Sequence, residues 1–207
     1  MDAWSKANNL QLNRAKSVEI VFTDNKRKPH LRDLPVVNGM QRLTEIKVLG
    51  VTVTSRLSVS GHITNVLQSC ARSMYALRVL RSHGLSNPDL QIVFRAVVVS
   101  KLVYASCAWI GFATAADRNK IDKFLARCTR LGYCEGESFS DLCELADSRL
   151  FQKVMNNRDH ILNIYLPPHS KRSYDLRLRR HSHTLPVKGS KLNSSNFVIR
   201  LLFKDVY

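Results

Sequence analysis

The stretch that most constrains the fold runs from residue 44 to residue 85, where a strand pattern gives way to a helix pattern. Residues 46–53 are rich in β-branched side chains, which predicts a β-strand. After a turn-like segment, apolar residues recur every three or four positions, which predicts an amphipathic α-helix that stops at Gly84. These residues are Ile63, Val66, Leu67, Cys70, Met74, Leu77 and Leu80. The stretch therefore joins a sheet-bearing front part to a helical back part.

The sequence of the front part predicts the end of a helix, followed by a small antiparallel sheet. Asn8 and Asn9 are poor helix formers and would end a helix over residues 1–12. Residues 17–22, 34–37 and 42–53 supply strand material, and a basic, turn-rich loop covers 24–30. The pair Asn38-Gly39 favours a hairpin turn, since both residues tolerate positive φ.

The back part predicts three further helices. The first, over 88–109, is apolar nearly all round and is therefore expected to be buried, with Phe94, Val98, Leu102, Tyr104 and Trp109 in the core. The second, over 115–133, carries one basic face, and the third, over 140–165, is expected to break near residues 147–148. The fold class predicted is α+β: a small antiparallel sheet, a mostly α-helical bundle and a basic C-terminal arm.

The predicted organisation has four parts, with boundaries at residues 1–57, 58–134, 135–168 and 169–207. The last part is the basic arm, in which arginines and lysines are separated by Ser, Asn, Gly and Pro. It ends in a short apolar segment, 197–203, that is expected to dock as a helix or a strand.

The charge balance indicates a polyanionic partner. The chain has 32 Lys+Arg against 16 Asp+Glu, a formal net charge of +16. Nucleic acid is favoured over an anionic membrane, and a solvated basic surface without a partner is the alternative. The sequence contains no zinc-finger spacing or RNA-binding aromatic motif, so we expect phosphate contacts without base reading.

The sequence offers weak signals for metal or catalytic chemistry. The five cysteines are odd in number and form no CxxC pair, so they are interpreted as reduced core thiols, with a zinc site at Cys128, Cys134 and Cys143 as the alternative. His181 and His183 are interpreted as a polyanion contact or a free surface pair, with metal binding as the alternative. Ser138 and Ser140 supply N-cap chemistry, so the acidic residues at 135–144 are expected to cap and solvate the start of a helix.

The expected location is intracellular, in the nucleus or the cytoplasm. No signal-peptide pattern opens the sequence, and the longest apolar run, 96–112, is interrupted by Ser100 and Lys101 and is short for a bilayer span. We therefore expect no membrane partner.

The order of motifs resembles the carboxy-terminal portion of reverse transcriptases of non-LTR (LINE-type) retrotransposons. The resemblance covers roughly residues 4–133 and rests on motifs in a fixed order and spacing. The matching residues are Trp4 to Ser17 with Asn13 and Lys16, Ile46 to Val51, His62-Ile63, Ala76 to Arg81, and Tyr104 to Gly111 with Trp109.

The resemblance implies the end of a polymerase palm followed by a thumb. Residues 4–53 are similar to the last part of the palm, and 62–109 to the thumb. Lys16 is placed in motif D, whose lysine in the family is thought to donate a proton to departing pyrophosphate. Leu49-Gly50-Val51 is placed at the strand turn that supports the primer end.

The family's catalytic aspartates are not matched in this sequence. The family carries an aromatic-Ala-Asp-Asp motif shortly before the position of Trp4, and the present sequence contains neither Asp-Asp nor Asp-x-Asp. The family enzyme binds Mg²⁺ there, so the expectation for this chain is a truncated, inactive fragment with no cofactor of its own.

The expected partner is an RNA–DNA hybrid or a duplex, bound without sequence preference, together with the missing N-terminal polymerase part. A basic helical binding module or an inert retroelement remnant is the alternative. The residues predicted to bind nucleic acid are Lys47, Gly50, His62, Arg72, Arg78, Arg81, Lys123, Arg127, Arg130, Arg177, Arg179 and Arg180.

Overall fold

The computed structural model describes residues 2–11, 13, 16–22, 35–36, 40–170, 181–187, 189–204 and 206. The described chain forms two compact units, Met1–His62 and Ile63–Tyr207. The first unit holds the β-strands and the second is helical, which confirms the predicted α+β class.

The first unit begins with helix α1, Asp2–Ala7, which ends where the sequence predicted. Asn8 and Asn9 form a turn after it, and Asn9 adopts a φ of 52°. Strand β1, Val18–Ile20, pairs with β2, Gln41–Leu43, in parallel. The prediction of a wholly antiparallel sheet is therefore wrong for this pair. The predicted loop at 24–30 and the turn at Asn38-Gly39 lie outside the described residues.

The predicted strand over 46–53 is instead a tight hairpin. Strand β3, Glu45–Val48, pairs antiparallel with β4, Val51–Thr54, and Leu49 and Gly50 form the turn. Both turn residues have positive φ, 46° and 89°, as the type I′ hairpin turn requires. An apolar run continues through Leu49 and Gly50, so the strand pattern did not reveal the reversal.

The long helix α2, Ser60–Ser82, ends as predicted at a turn whose Gly84 has a φ of 91°. The next predicted helix is less regular than expected. It comprises α3, Asn87–Phe94, a π-helical turn, Arg95–Val99, and α4, Ser100–Val103. The helical conformation is then interrupted at Ala105, which has a φ of 49°.

The apolar helix after α2 places four of its five predicted core residues inside. Phe94, Val98, Leu102 and Trp109 are buried, whereas Tyr104 is 55% exposed because it lies at the break before helix α5, Ser106–Trp109. By length and composition alone the segment Asn87–Phe112 is apolar enough to cross a membrane.

The remaining elements enclose a common core. Helices α6, Ala115–Arg130, and α7, Phe139–Asn156, are followed by a 3₁₀ turn, Asn163–Tyr165, and by α8, Lys191–Ser195, and α9, Phe197–Leu202. Helix α7 runs unbroken through residues 147–148, so the predicted break is wrong. Ser138 caps α7 by accepting from the Asp141 N–H at 3.1 Å, as predicted.

The terminal apolar segment docks as helix α9, one of the two forms that the sequence allowed. Its residues Val198, Leu201 and Leu202 pack in a cluster with Phe151 of α7. Gly111 permits the chain to approach here, because a Cβ on Gly111 would lie 2.0 Å from the Ser195 carbonyl oxygen.

Candidate nucleic-acid interface

The outer face of α6 carries a row of four cations. Lys120, Lys123, Arg127 and Arg130 follow one another at intervals of three or four residues, which places them on one side of the helix. All four are exposed, whereas Ile121, Leu125 and Cys128 on the opposite side are buried. We refer to the four cations as the α6 basic row.

The local sequence fixes this helix firmly. Thr114 and Asp117 form a capping box, in which the Thr114 hydroxyl accepts from the Asp117 N–H at 3.1 Å. The acid lies at the helix start, while Arg127 and Arg130 lie in the last turn, so both agree with the helix dipole. The α6 basic row therefore sits on a well-anchored scaffold.

Most of the α6 basic row is not neutralised within the described part of the chain. Lys120 forms an ion pair with Asp117 at 3.4 Å. For Lys123, Arg127 and Arg130 there is no ion pair with any described acidic residue. Arg118 belongs to a different side, since it donates to the Ile110 carbonyl at 3.0 Å.

Arg81, predicted to bind nucleic acid, is committed to the fold. Its Nη1 donates to the Leu131 carbonyl at 2.8 Å, and its guanidinium lies 4.0 Å from the centre of the Tyr133 ring. This cation–π contact ties the end of α2 to the chain that follows α6. The Arg81 guanidinium is therefore engaged within the fold, and phosphate binding by Arg81 stays a prediction.

Arg72 and Arg78 are both exposed on α2, but the helix does not bring them together. They are six residues apart, which is about one and two-thirds turns of an α-helix, so they lie on different sides of α2.

The residues of the first unit that were predicted to bind nucleic acid also differ in their exposure. Lys47 is exposed on β3, and Gly50 serves the hairpin turn. His62 is only 4% exposed, and burial, together with nearby Lys47, lowers its pKa. A buried neutral histidine does not contact a polyanion, so that prediction is wrong. Lys16 is exposed, and its backbone N–H donates to the Asn13 side chain at 3.1 Å.

The arginines predicted in the arm, Arg177, Arg179 and Arg180, lie outside the described residues. The residues at either end of that segment are joined by an antiparallel bridge between His169 and His183. The His169 and His183 rings stack with centres 4.2 Å apart.

His181 and His183 are buried and hydrogen-bonded, which corrects their interpretation as a free surface pair or a polyanion contact. The His181 Nε2 lies 2.9 Å from the Leu202 carbonyl, and His183 Nδ1 lies 2.5 Å from the Pro167 carbonyl. Burial is the main cause that lowers the pKa of His183. Both rings therefore serve to hold the C-terminal segment.

All five cysteines are free thiols, and four of them are buried. Burial raises the pKa of Cys70 to about 11 and those of Cys107, Cys128 and Cys143 to about 12. Such thiols stay protonated at neutral pH and are poor nucleophiles. In the ranges that the structure describes, no three His, Cys, Asp or Glu side chains are grouped to hold a metal ion.

A basic cleft beside the second half of α7 was not predicted from the sequence. Arg149 and Lys153 line it together with His160 from the following loop. The spacing of Arg149 and Lys153 by four residues was a visible signal, but the loop's return beside the helix was not. A second cavity is lined by three cations, Arg118, Arg200 and Lys204, and by three acids, Asp122, Glu144 and Asp147, so its charges balance.

Comparison with known proteins adds no family to this description. The chain matches no protein-family model, no curated protein and no solved structure.

Proposed function

We propose that this chain binds nucleic acid without sequence preference through the α6 basic row, as a thumb-like part of a LINE-type reverse transcriptase. The observation that carries the binding proposal is the exposure of Lys123, Arg127 and Arg130, which have no acidic partner among the described residues. The family in the proposal comes from the sequence motifs alone.

The geometry of the row suits a phosphate backbone. From Lys120 to Arg130 the helix rises about 15 Å, a length over which one strand of a duplex presents several phosphates. Each cation that meets a phosphate releases condensed counterions, so binding weakens steeply as salt rises. Exposed lysines and arginines contact phosphates but carry little sequence information.

The proposed partner is a duplex or an RNA–DNA hybrid, within an intracellular compartment and together with the rest of a polymerase. Template-directed synthesis needs carboxylates that hold divalent metal ions at the reacting phosphate. Because the sequence contains neither Asp-Asp nor Asp-x-Asp, we propose that this chain by itself does not polymerise. Template-dependent extension of a primer by the purified chain with Mg²⁺ would overturn that part.

The binding proposal is tested by a salt-titrated fluorescence anisotropy measurement with duplex DNA and with an RNA–DNA hybrid. We expect tight binding at low salt and a linear fall of log K with log salt concentration. Similar affinities for unrelated sequences are expected. Absence of binding even at low salt would contradict the proposal and favour an inert retroelement remnant.

A further inference from the structure

Among the described residues, the basic cleft on α7 is lined by six polar side chains and by no carboxylate. They are Arg149, Gln152, Lys153, Asn156, Asn157 and His160. Its volume is about 540 Å³, which is more than one phosphate ion needs, and it is largely open to solvent. We refer to it as the α7 cleft.

Local hydrogen bonds occupy acceptor atoms of the cleft and leave donors. His160 Nδ1 accepts from the Leu162 N–H at 3.1 Å, so its ring proton resides on Nε2. The Asn157 side-chain oxygen accepts from the Asp159 N–H at 2.9 Å, which leaves the Asn157 NH₂ group for other partners. The backbone thus orients both side chains as donors.

Two carbonyls near the end of α7 already accept hydrogen bonds, which reduces the repulsion that they would exert on an anion. The Val154 carbonyl accepts from the Asn163 side chain at 2.8 Å, and the Lys153 carbonyl accepts from the Asn157 N–H at 3.1 Å. A helix C-terminus with open carbonyls would disfavour negative charge. Here side-chain and backbone donors satisfy two of them.

The two cations of the cleft have no ion-pair partner within the described ranges. Arg149 and Lys153 are one helical turn apart and exposed, and neither forms an ion pair with a described acidic residue. Two positive charges and several neutral donors face the same space, which is the arrangement that binds a phosphate group.

We propose that the α7 cleft binds a phosphodiester group of a nucleic-acid chain, as a second contact in addition to the α6 basic row. This inference rests on the proposed function. A nucleic acid is favoured over a free phosphate ion because the cleft has room for a whole nucleotide, and the Gln152 and Asn156 amides offer hydrogen bonds to its sugar or base.

The test compares the full chain with the variant R149A/K153A by fluorescence anisotropy on the same RNA–DNA hybrid over a salt series. The control K6A/R56A removes two exposed cations outside the cleft and has the same net charge. We expect R149A/K153A to bind roughly tenfold more weakly, as for one lost hydrogen bond to a charged group. Its slope of log K against log salt should fall by about 1 to 2, while the control changes less.

A second measurement follows the His160 ring signals by NMR, assigned through their loss in H160Q. Adenosine monophosphate and inorganic phosphate should shift them in the wild type and not in R149A/K153A, and the nucleotide should act at lower concentration. The same His160 signals are followed with vesicles of phosphatidylserine. A shift with vesicles but not with nucleotide would overturn the assignment to nucleic acid.

The outcomes separate this inference from the function on which it rests. Failure of the wild type to bind any nucleic acid contradicts the proposed function. Binding by the wild type with equal slopes in R149A/K153A and the control overturns the α7 cleft and leaves the α6 basic row intact. Circular dichroism of the variants confirms that each is folded.

Discussion

Arg81 and the α6 basic row contain the same kind of side chain but differ in what these side chains contact. Arg81 lies over the Tyr133 ring and donates to the Leu131 carbonyl, so its charge holds α2 in place. Lys123, Arg127 and Arg130 are exposed and make no ion pair with a described residue. The comparison teaches that a cation's packing decides whether it serves the fold or remains for a partner.

Other cations of the chain, like Arg81, are held by contacts within the fold. Arg200 pairs with Asp147 at 2.7 Å, Arg42 pairs with Glu19 at 2.6 Å, and Arg95 pairs with Glu137. Each such ion pair uses one cation and one acid, so the formal charge of +16 does not show which individual cations are free to meet a polyanion. Substitutions in the two groups should give different results, from a large loss of stability to almost none.

The largest loss of stability is expected for Arg200→Leu. Asp147 is 5% exposed, and removal of its partner leaves a buried carboxylate unpaired, which typically costs about 3 kcal/mol or more. Urea denaturation measures the change in unfolding free energy. Lys204→Leu is the control, because its partner Glu144 is exposed and should lose less than about 1 kcal/mol. Equal losses in the two variants would contradict the assignment of Arg200.

A smaller loss is expected for Arg81→Ala. The variant removes one hydrogen bond and one cation–π contact, together worth about 1 to 2 kcal/mol. Arg78→Ala, one turn away on the exposed side of α2, should change stability by less than about 0.5 kcal/mol. The two variants are compared by denaturant titration under identical conditions. A harmless Arg81→Ala would place Arg81 among the free cations.

Histidines extend the comparison, because the fold keeps His62 and His183 neutral. Burial lowers the pKa of both below the ordinary value of 6.5, so the unfolded chain takes up protons at higher pH than the folded chain. Their contribution to stability is complete above pH 6.5 and is lost as the pH falls from there through the folded pKa values.

The pH dependence is measured by chemical denaturation at neutral and acidic pH. His183 faces His169, His181 and the Pro167 carbonyl. The variant His183→Asn retains a donor for that carbonyl but does not titrate, so it should lose less stability on acidification than the wild type. An unchanged pH dependence in His183→Asn would show that His183 is not one of the responsible groups.

The smallest effect on stability is expected for the triple variant K123A/R127A/R130A. Exposed substitutions away from buried contacts usually change stability by less than about 0.5 kcal/mol each, and alanine favours helix. Thermal unfolding checks this expectation. A loss as large as that of Arg200→Leu would mean that the α6 basic row supports the fold.

The sequence predicted the elements whose signal is local. The three-and-four spacing located α2 and α6, and the apolar segment near the C-terminus is helix α9. The residue pattern alone did not show the hairpin turn at Leu49-Gly50 or the break at Ala105, because an apolar run continues through both.

The candidate site was harder to predict, since packing between distant segments decides it. Arg81 continues the spacing of Cys70, Met74 and Leu77, so the pattern already placed it on the buried side of α2. That signal was available and would have separated it from Arg78. The α7 cleft depends on His160 returning beside Arg149, a contact that sequence spacing does not reveal.

The most direct test of the central claim compares the salt dependence of nucleic-acid binding in the wild type, Arg81→Ala and K123A/R127A/R130A. We expect the slope of log K against log salt to fall by about 3 in the triple variant and to stay unchanged in Arg81→Ala. Equal slopes in the wild type and the triple variant would contradict the assignment of the α6 basic row as the nucleic-acid interface.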